Sequence, residues 1–430
     1  MRENALCALA ATAASAAMAW LGLYGFAWND YEIEAQPAFS ALMHGHVLEF
    51  LRLTPAYGGS LVERAPFALL PGLWGGGELA LYRMVALPCL LAGAALGVWL
   101  CAQMRTAGQK TLWRAIVLGV CVANPLTLQA LELGHPEELL GACLCVAAVL
   151  LAVRGHSIWA GVLLGLAIAN KEWALIAVGP VLLALGAGAG TIRWRRVVIC
   201  LVSAGVAAAV MLAPLMLASP SGFAAGARGA VTPQQDLFQP WQVWWFFGRH
   251  GQLVTRLFGA TLPGYRIGPA WASAISHPLI VLVGFGMAGA LWLRRRREVL
   301  AIAERDALLL LALVLLLRCM LDTWDTGYYM LPFLLALLSW EALGHSRRPP
   351  VLALMGVVLP WLILKGVSAR EVSPDLQAAL FLVWTLPLAT ALGLALYAPE
   401  RLSRIGEACG VKAPGRAADN RLKWLPVLPR

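Results

Sequence analysis

Residues 157–188 read SIWAGVLLGLAIANKEWALIAVGPVLLALGAG, two apolar runs divided by Asn170-Lys171-Glu172. Read as one long helix, the stretch buries a Lys–Glu pair in its middle. Read as two short helices, it reverses direction at Lys171. The choice decides the layout of the chain, because one crossing more or less swaps the side of every later connection. A single helix would send Arg294–Arg297 and the basic tail to the outer face of a membrane, against the tendency of Lys and Arg to stay inside. Two short helices are therefore expected. A 14-residue helix is about 21 Å long against a ~30 Å hydrocarbon core, so Lys171 should stop short of the outer surface. An ionisable residue in that position points to function.

The composition agrees with a membrane setting. Of 430 residues, 60% are hydrophobic and only 13% charged, with a mean hydropathy of +0.72. A soluble domain carries roughly a quarter charged residues. Repeated apolar runs of ~18 residues or more mark a polytopic, all-α helical bundle, and the ~10-residue alternation of a membrane β-barrel is not seen. The net charge of +10 does not signal nucleic acid, because the positives cluster at the ends of apolar runs. The nine cysteines include no CxxC and read as small apolar residues. "AASAAMA" (13–19) offers small-residue cleavage sites, but the length of the 5–26 run and the many runs after it favour an uncleaved first helix.

About twelve spanning or partly spanning helices are expected, near 5–26, 79–102, 114–131, 138–153, 157–170, 173–189, 197–218, 271–293, 306–321, 327–343, 350–367 and 377–397. With the N-terminus in the cytoplasm, 22 of the 33 Lys and Arg but only 8 of the 23 acids fall inside, as the charge rule asks. The layout makes residues 1–397 one membrane domain with long outer loops at 27–78 and 219–270, and residues 398–430 a basic cytoplasmic tail. No internal repeat or appended soluble domain is evident.

On this layout four groups far apart in sequence reach the same outer level. They are Asp30, Glu32 and Glu34 in FAWNDYEIEAQP; Glu132, His135, Glu137 and Glu138 in LELGHPEELL; Lys171 and Glu172; and Arg318, Asp322 and Asp325 in LRCMLDTWDTGYYMLP, with Tyr328 and Tyr329 beside them. Each has a plainer explanation. Glu137 and Glu138 follow Pro136 and suit a helix N-terminus. Asp325 suits the N-cap of a helix starting near Tyr328. Glu32 and Glu34 suit a solvated loop, and Lys171 a local partner for Glu172. Taken jointly, the convergence points to an outward-facing polar site.

The loop 219–270 contains PWQVWWFFGRHG, whose Trp241, Trp244, Trp245, Phe246 and Phe247 suit an interfacial aromatic belt. Its Arg228, Arg249, Arg256 and Arg266 face one acid, Asp236, and suit an anionic lipid head group. FSALMHGHVLEFL (39–51) suits an interfacial helix, with His44 and His46 too weakly placed for metal ligands. Glu32 and Glu34 form an acidic pair able to hold a divalent ion, and no metal is required.

The stretch from Asn124-Pro125 through Gly134-His135 and Arg154-Gly155-His156 to Lys171 resembles the middle of GT-C membrane glycosyltransferases. It is most similar to the bacterial branch that uses polyprenol-phosphate mannose or arabinose. DTWDTGYYMLPFLLALLSWEAL (322–343) resembles that family's outer Asp/Tyr segment, and the likeness covers most of residues 20–345. Glu137-Glu138 departs from it, being acidic where many relatives carry an amide. The resemblance implies a GT-C-like fold in the cytoplasmic membrane, both termini inside and the site outside. It implies a polyprenol-phosphate-sugar donor, a lipid or glycan acceptor, surrounding membrane lipids and no nucleic acid. It places the catalytic acid in the first outer loop, which lands on Asp30 with Glu32 in reserve.

The residue chemistry fits that reaction class. A carboxylate within ~3 Å can take the proton of a sugar hydroxyl, and a cation can meet the charge growing on a departing phosphate. Lys171, then Arg318 and His135, suit the phosphate; Glu137, Glu138, Asp322, Asp325, Tyr328 and Tyr329 suit sugar or acceptor hydroxyls. A transporter or flippase is the rival reading, but it calls for midplane charges and two symmetric halves, neither of which appears. A catalytically silent member of the fold is the third, since fold alone does not establish function.

Overall fold

The computed structural model describes residues 2–21, 29–55, 58–186, 193–231, 238–250, 264–297, 304–344, 348–367 and 372–408. The chain opens with α1 (Arg2–Leu21). Four short helices follow in the first long connection: α2 (Asn29–Glu34), α3 (Gln36–Met43), α4 (Val47–Leu53) and α5 (Gly59–Ala68). The central run is α6 (Glu78–Thr106), α7 (Thr111–Val122), α8 (Pro125–Leu133), α9 (Glu137–Val153), α10 (Ser157–Asn170), α11 (Val178–Leu185) and α12 (Trp194–Ala218). Next come α13 (Pro220–Val231) and a two-stranded antiparallel pair, β1 (Arg249–His250) with β2 (Arg266–Ile267). The rest is α14 (Ala270–Arg297), α15 (Glu304–Leu321), α16 (Met330–Ala342), α17 (Val351–Trp361), α18 (Pro374–Tyr397) and α19 (Pro399–Ala408).

Among the described residues, five segments are long and apolar enough to cross a membrane: α6, the α7–α8 segment, α12, α14 and α18. Shorter apolar helices lie among them. The architecture is that of an all-α membrane protein, apart from the two-residue strands. The sequence layout of about twelve spans is coarser than this arrangement. The 114–131 span is broken in two at Ala123-Asn124, and 350–367 ends in a π-helical turn over Leu362–Val367.

Apolarity sorts the helices into inner and outer positions. In α15 and α16, Leu308–Leu316 and Met330–Ser339 are almost wholly buried, as expected for helices apolar all round. α12 instead exposes Val198, Val202, Val206 and Val210 along one stripe, the four-residue spacing of a helix face turned to lipid. Close contact in such a bundle needs small residues. Gly161 and Gly165 of α10 supply them against α12: a Cβ at either would sit 2.2 Å from the carbonyl oxygen of Cys200 or Ala204.

The opening stretch behaves as two short helices. α10 stops at Asn170, Lys171 is extended (φ −153°, ψ 134°), and a 3-10 segment over Glu172–Ala177 leads into α11. The end of α10 meets the start of α9, where the Asn170 amide donates to the Glu137 carbonyl at 2.9 Å. α11 then packs again on α9, and on α14, so the chain has turned back at Lys171.

Three expectations for the connections change. FSALMHGHVLEFL is two helices, broken at His44-Gly45-His46 where Gly45 has φ 83°. In PWQVWW, Trp241, Trp244 and Trp245 are buried rather than arrayed as a belt. Their indole N–H groups donate to the Asp325 carbonyl, the Leu321 carbonyl and the Asp375 carboxylate, which pins this connection to the bundle. Phe246 and Phe247 remain exposed. Arg266 is not available to a lipid head group, because both its Nε and Nη2 donate to Asp375, at 2.9 and 2.8 Å. Arg256 and Asp236 lie outside the described residues. The eight cysteines among the described residues are all free thiols.

Candidate active site

The site is built around the turn between α8 and α9. Asn124 caps α8: its Oδ1 accepts the N–H groups of Leu126 and Thr127 at 2.9 Å, with Pro125 at the first helical position. At the other end, the His135 N–H reaches the Ala130 carbonyl at 2.7 Å and the Gly134 N–H reaches Leu131 at 3.3 Å. This Schellman turn requires the left-handed φ of 89° at Gly134. A side chain there is also barred by packing, since a Cβ would lie 2.7 Å from the backbone nitrogen of Tyr31. The glycine thus lets α2 sit directly on the turn and brings Asp30 over His135.

His135 is held from both sides. Its Nδ1 is 2.9 Å from Glu137 Oε1 and its Nε2 is 3.3 Å from Asp30 Oδ2, while its ring stacks on Tyr328 at 5.0 Å. Burial opposes the charged imidazolium, but the hydrogen bonds to Asp30 and Glu137 outweigh it and push the pKa up to about 9. The imidazolium is therefore the form present near neutral pH, donating to two carboxylates at once.

Glu137 is the hub. Besides His135, its Oε1 lies 3.3 Å from Lys171 Nζ, and its Oε2 lies 3.3 Å from Arg64 Nη2. Three cations around one buried carboxylate explain how a charge can persist at the start of α9; the helix dipole alone would not suffice. A second tier lies beneath. Arg318 Nη1 is 3.9 Å from Glu138 Oε2, and its guanidinium is stacked between the rings of Trp173 (4.9 Å) and Tyr329 (4.5 Å).

A small cleft opens over the upper tier, lined by Asp30, Glu34, Arg64, His135, Glu137 and Lys171 among others. Asp30 is the accessible acid, its side chain 47% exposed, whereas Glu137 is 6% exposed and Lys171 14%. The cleft thus presents a carboxylate at its lip and cations on its wall. That pairing suits proton removal beside an anion.

The other expected residues are placed differently. Glu32 is exposed and does not line the cleft. Residues 29–34 form a helix rather than a loop, so Asp30 and Glu34 share a face and Glu32 points away. Glu32 and Glu34 accordingly sit on different faces, and the acid that lines the cleft beside Asp30 is Glu34 rather than the expected Glu32. Arg318 is buried off the cleft, engaged with Glu138 and two rings. Asp325 is not the N-cap of the segment beginning at Gly327: Thr326 occupies that position, without a side-chain cap bond, and Asp325 is fully buried. Asp322 is buried too, with Oδ1 3.0 Å from the Trp324 N–H and 3.6 Å from His277 Nε2. Tyr328 is buried under His135, and Glu138 belongs to the lower tier.

Two partners were missed from the sequence. Arg64 sits in LVERAPF, where an adjacent Glu–Arg pair reads as a solvated turn; only the burial of α5 against the end of α10 reveals it. Its signal was the flanking Leu61, Ala65 and Ala68, helical spacing that put Arg64 on the inner face. His277, inside the apolar start of α14, carried no signal.

Neither a family model nor a solved structure matches this sequence. The chain is similar to the alpha-(1->6)-mannopyranosyltransferase A of Mycobacterium tuberculosis, at 33% identity over 128 residues. The match covers 29% of this chain and 23% of that protein, so it spans less than a quarter of the relative's length.

Proposed function

We propose that the protein is a membrane glycosyltransferase that moves a sugar, mannose in the first instance, from a polyprenol-phosphate donor to a lipid or glycan acceptor. The reading places it in the cytoplasmic membrane, in a GT-C-like fold, with the cleft facing outward. The observation that carries it is the half-exposed Asp30, oriented by a doubly bonded His135 above a wall bearing Lys171 and Arg64. The mannosyltransferase relative supports the sugar and the reaction class.

In this reading an acceptor hydroxyl oxygen attacks the anomeric carbon while the carbon–oxygen bond to the lipid phosphate breaks. The hydroxyl proton passes to the Asp30 carboxylate, and the bond's electron pair leaves with the phosphate. A direct displacement of this kind inverts the anomeric centre. The donor phosphate gains one negative charge, which Lys171, with Arg64 behind it, is placed to offset. His135 as imidazolium fixes the Asp30 carboxylate without competing for the acceptor's proton. Glu137 keeps His135, Lys171 and Arg64 in register.

The test is reconstitution in liposomes with labelled polyprenol-phosphate mannose and lipid or glycan acceptors. Transfer by the wild type that is lost in Asp30→Asn, together with weakened donor binding in Lys171→Ala, is the expected result. Unchanged transfer by Asp30→Asn removes the base, and solute counterflow without transfer makes the protein a transporter.

A further inference from the structure

The end of α10 opposite Lys171 carries a charged feature of one sign. α10 and α12 are parallel neighbours: Gly161 contacts Cys200 and Gly165 contacts Ala204, four residues further along both helices. Their first turns therefore lie side by side. Neither start is capped by a side chain, the positions before them being His156 and Arg193. Each helix leaves its first N–H groups without intrahelical partners, and the two dipoles place their positive ends together.

Four arginines belong to these two helix starts. Arg196 Nη1 would lie 3.1 Å from a Cβ on Gly155, in the turn that precedes α10. Arg154, in the same turn, lies over the Trp99 ring at 4.9 Å, and its buried Nε has no hydrogen-bond partner. Arg193 and Arg195 are exposed on either side of Trp194. Among the described residues none of the four pairs with a carboxylate, so none of those residues offsets this charge. Two helix starts, the Arg154 and Arg196 guanidinium groups at one turn and the exposed Arg193 and Arg195 beside them concentrate positive charge that an anion would relieve.

We propose that this spot binds the phosphate of an anionic phospholipid head group. The lipid source follows from the apolar residues around it. Ile158, Trp159 and Trp194 are 58%, 63% and 66% exposed, and the Val198–Val210 stripe of α12 continues from them along the bundle surface. Indole rings beside arginines are the composition of a membrane–water interface, and the stripe is a track for acyl chains. A free phosphate would have no use for either. The proposal does not depend on the glycosyltransferase reading.

The test is native mass spectrometry of the detergent-solubilised full chain with phosphatidylglycerol, phosphatidylcholine or inorganic phosphate. Retained phosphatidylglycerol adducts, with few from phosphatidylcholine, are expected for the wild type. R154Q/R196Q should weaken phosphatidylglycerol binding about 30-fold, from roughly one interaction per basic residue removed. R154K/R196K should retain most of it. Equal retention of the two lipids by the wild type overturns the proposal whether or not any variant folds. So does phosphate that displaces phosphatidylglycerol at equal concentration, or undiminished binding by a folded R154Q/R196Q.

Discussion

Two acid-bearing clusters flank the Tyr328–Tyr329 pair, Tyr328 stacking on His135 and Asp325 lying three residues before it in the chain, yet they differ in the one property that matters for proton transfer. Around His135, Asp30 is open at a cleft and every buried charge has a named partner. Around Asp322-Thr323-Trp324-Asp325 the acids are sealed beneath the Trp241–Trp245 segment, and neither Asp325 carboxylate oxygen meets a hydrogen-bonding partner. Carboxylates close together in the fold therefore sit in two different settings. The first opens at the cleft; the second does not line it.

The sharpest way to test that contrast is Asp30→Asn. The change keeps shape and leaves a group that cannot take a proton, so transfer should fall by about 10²–10⁴-fold. Unfolding free energy should shift only modestly, by about 1 kcal/mol or less, because Asp30 is half exposed and supplies only one of the two carboxylates that hold the His135 imidazolium. A large loss of stability with activity retained would exchange the roles of the two clusters.

Next comes Arg64→Met. It leaves Glu137 buried with one cation fewer, and breaking a buried pair this way costs about 3–5 kcal/mol. Chemical denaturation in detergent should show that loss, and the double variant R64M/E137Q should recover part of it. No recovery would mean that Arg64 acts through its packing on Phe39, over whose ring its guanidinium sits at 5.3 Å.

His135 gives the pair of clusters a pH signature. Its pKa in the folded chain is raised to about 9 from an ordinary value near 6.5. A raised pKa means that its contribution to stability is complete below about pH 6.5 and is lost as pH rises through about 9. Unfolding free energy should therefore fall across that alkaline window by an amount on the order of 2–3 kcal/mol, seen as a falling melting temperature. H135Q should flatten the fall. A wild-type profile that is flat from pH 6.5 to 9 would show that the imidazole is neutral in the folded protein.

How far the sequence foretold this arrangement depends on what each part required. Helices and their apolar faces follow from composition, and the turn at Lys171 followed from charge placement alone. Asp30, His135, Glu137 and Lys171 were all singled out, because ionisable residues are rare enough in an apolar chain to be noticed. What the sequence did not show was which of them touch. Glu32 and Glu34 are indistinguishable until residues 29–34 are known to be helical, when a period of 3.6 rather than 2 decides which joins Asp30. The inner-face position of Arg64 was legible in the helical spacing of α5, but its partner Glu137 was not, lying seventy-three positions away. The tryptophans of PWQVWW carry no sign of whether their N–H groups face water or a carbonyl.

The smallest effect expected is the one that most directly checks the sealed cluster. Asp325 is fully buried, and its carboxylate has no hydrogen-bonding partner to lose. Its anchoring contact is made by the backbone, whose carbonyl accepts from Trp241. Asp325→Asn preserves that carbonyl and nearly the same volume, and it removes a group that is costly to bury in charged form. Stability should change by less than about 1 kcal/mol, and transfer should stay within about threefold of the wild type. A loss like that of Asp30→Asn would mean that the cluster opens to substrate during turnover, and that the Trp241–Trp245 segment is its cover.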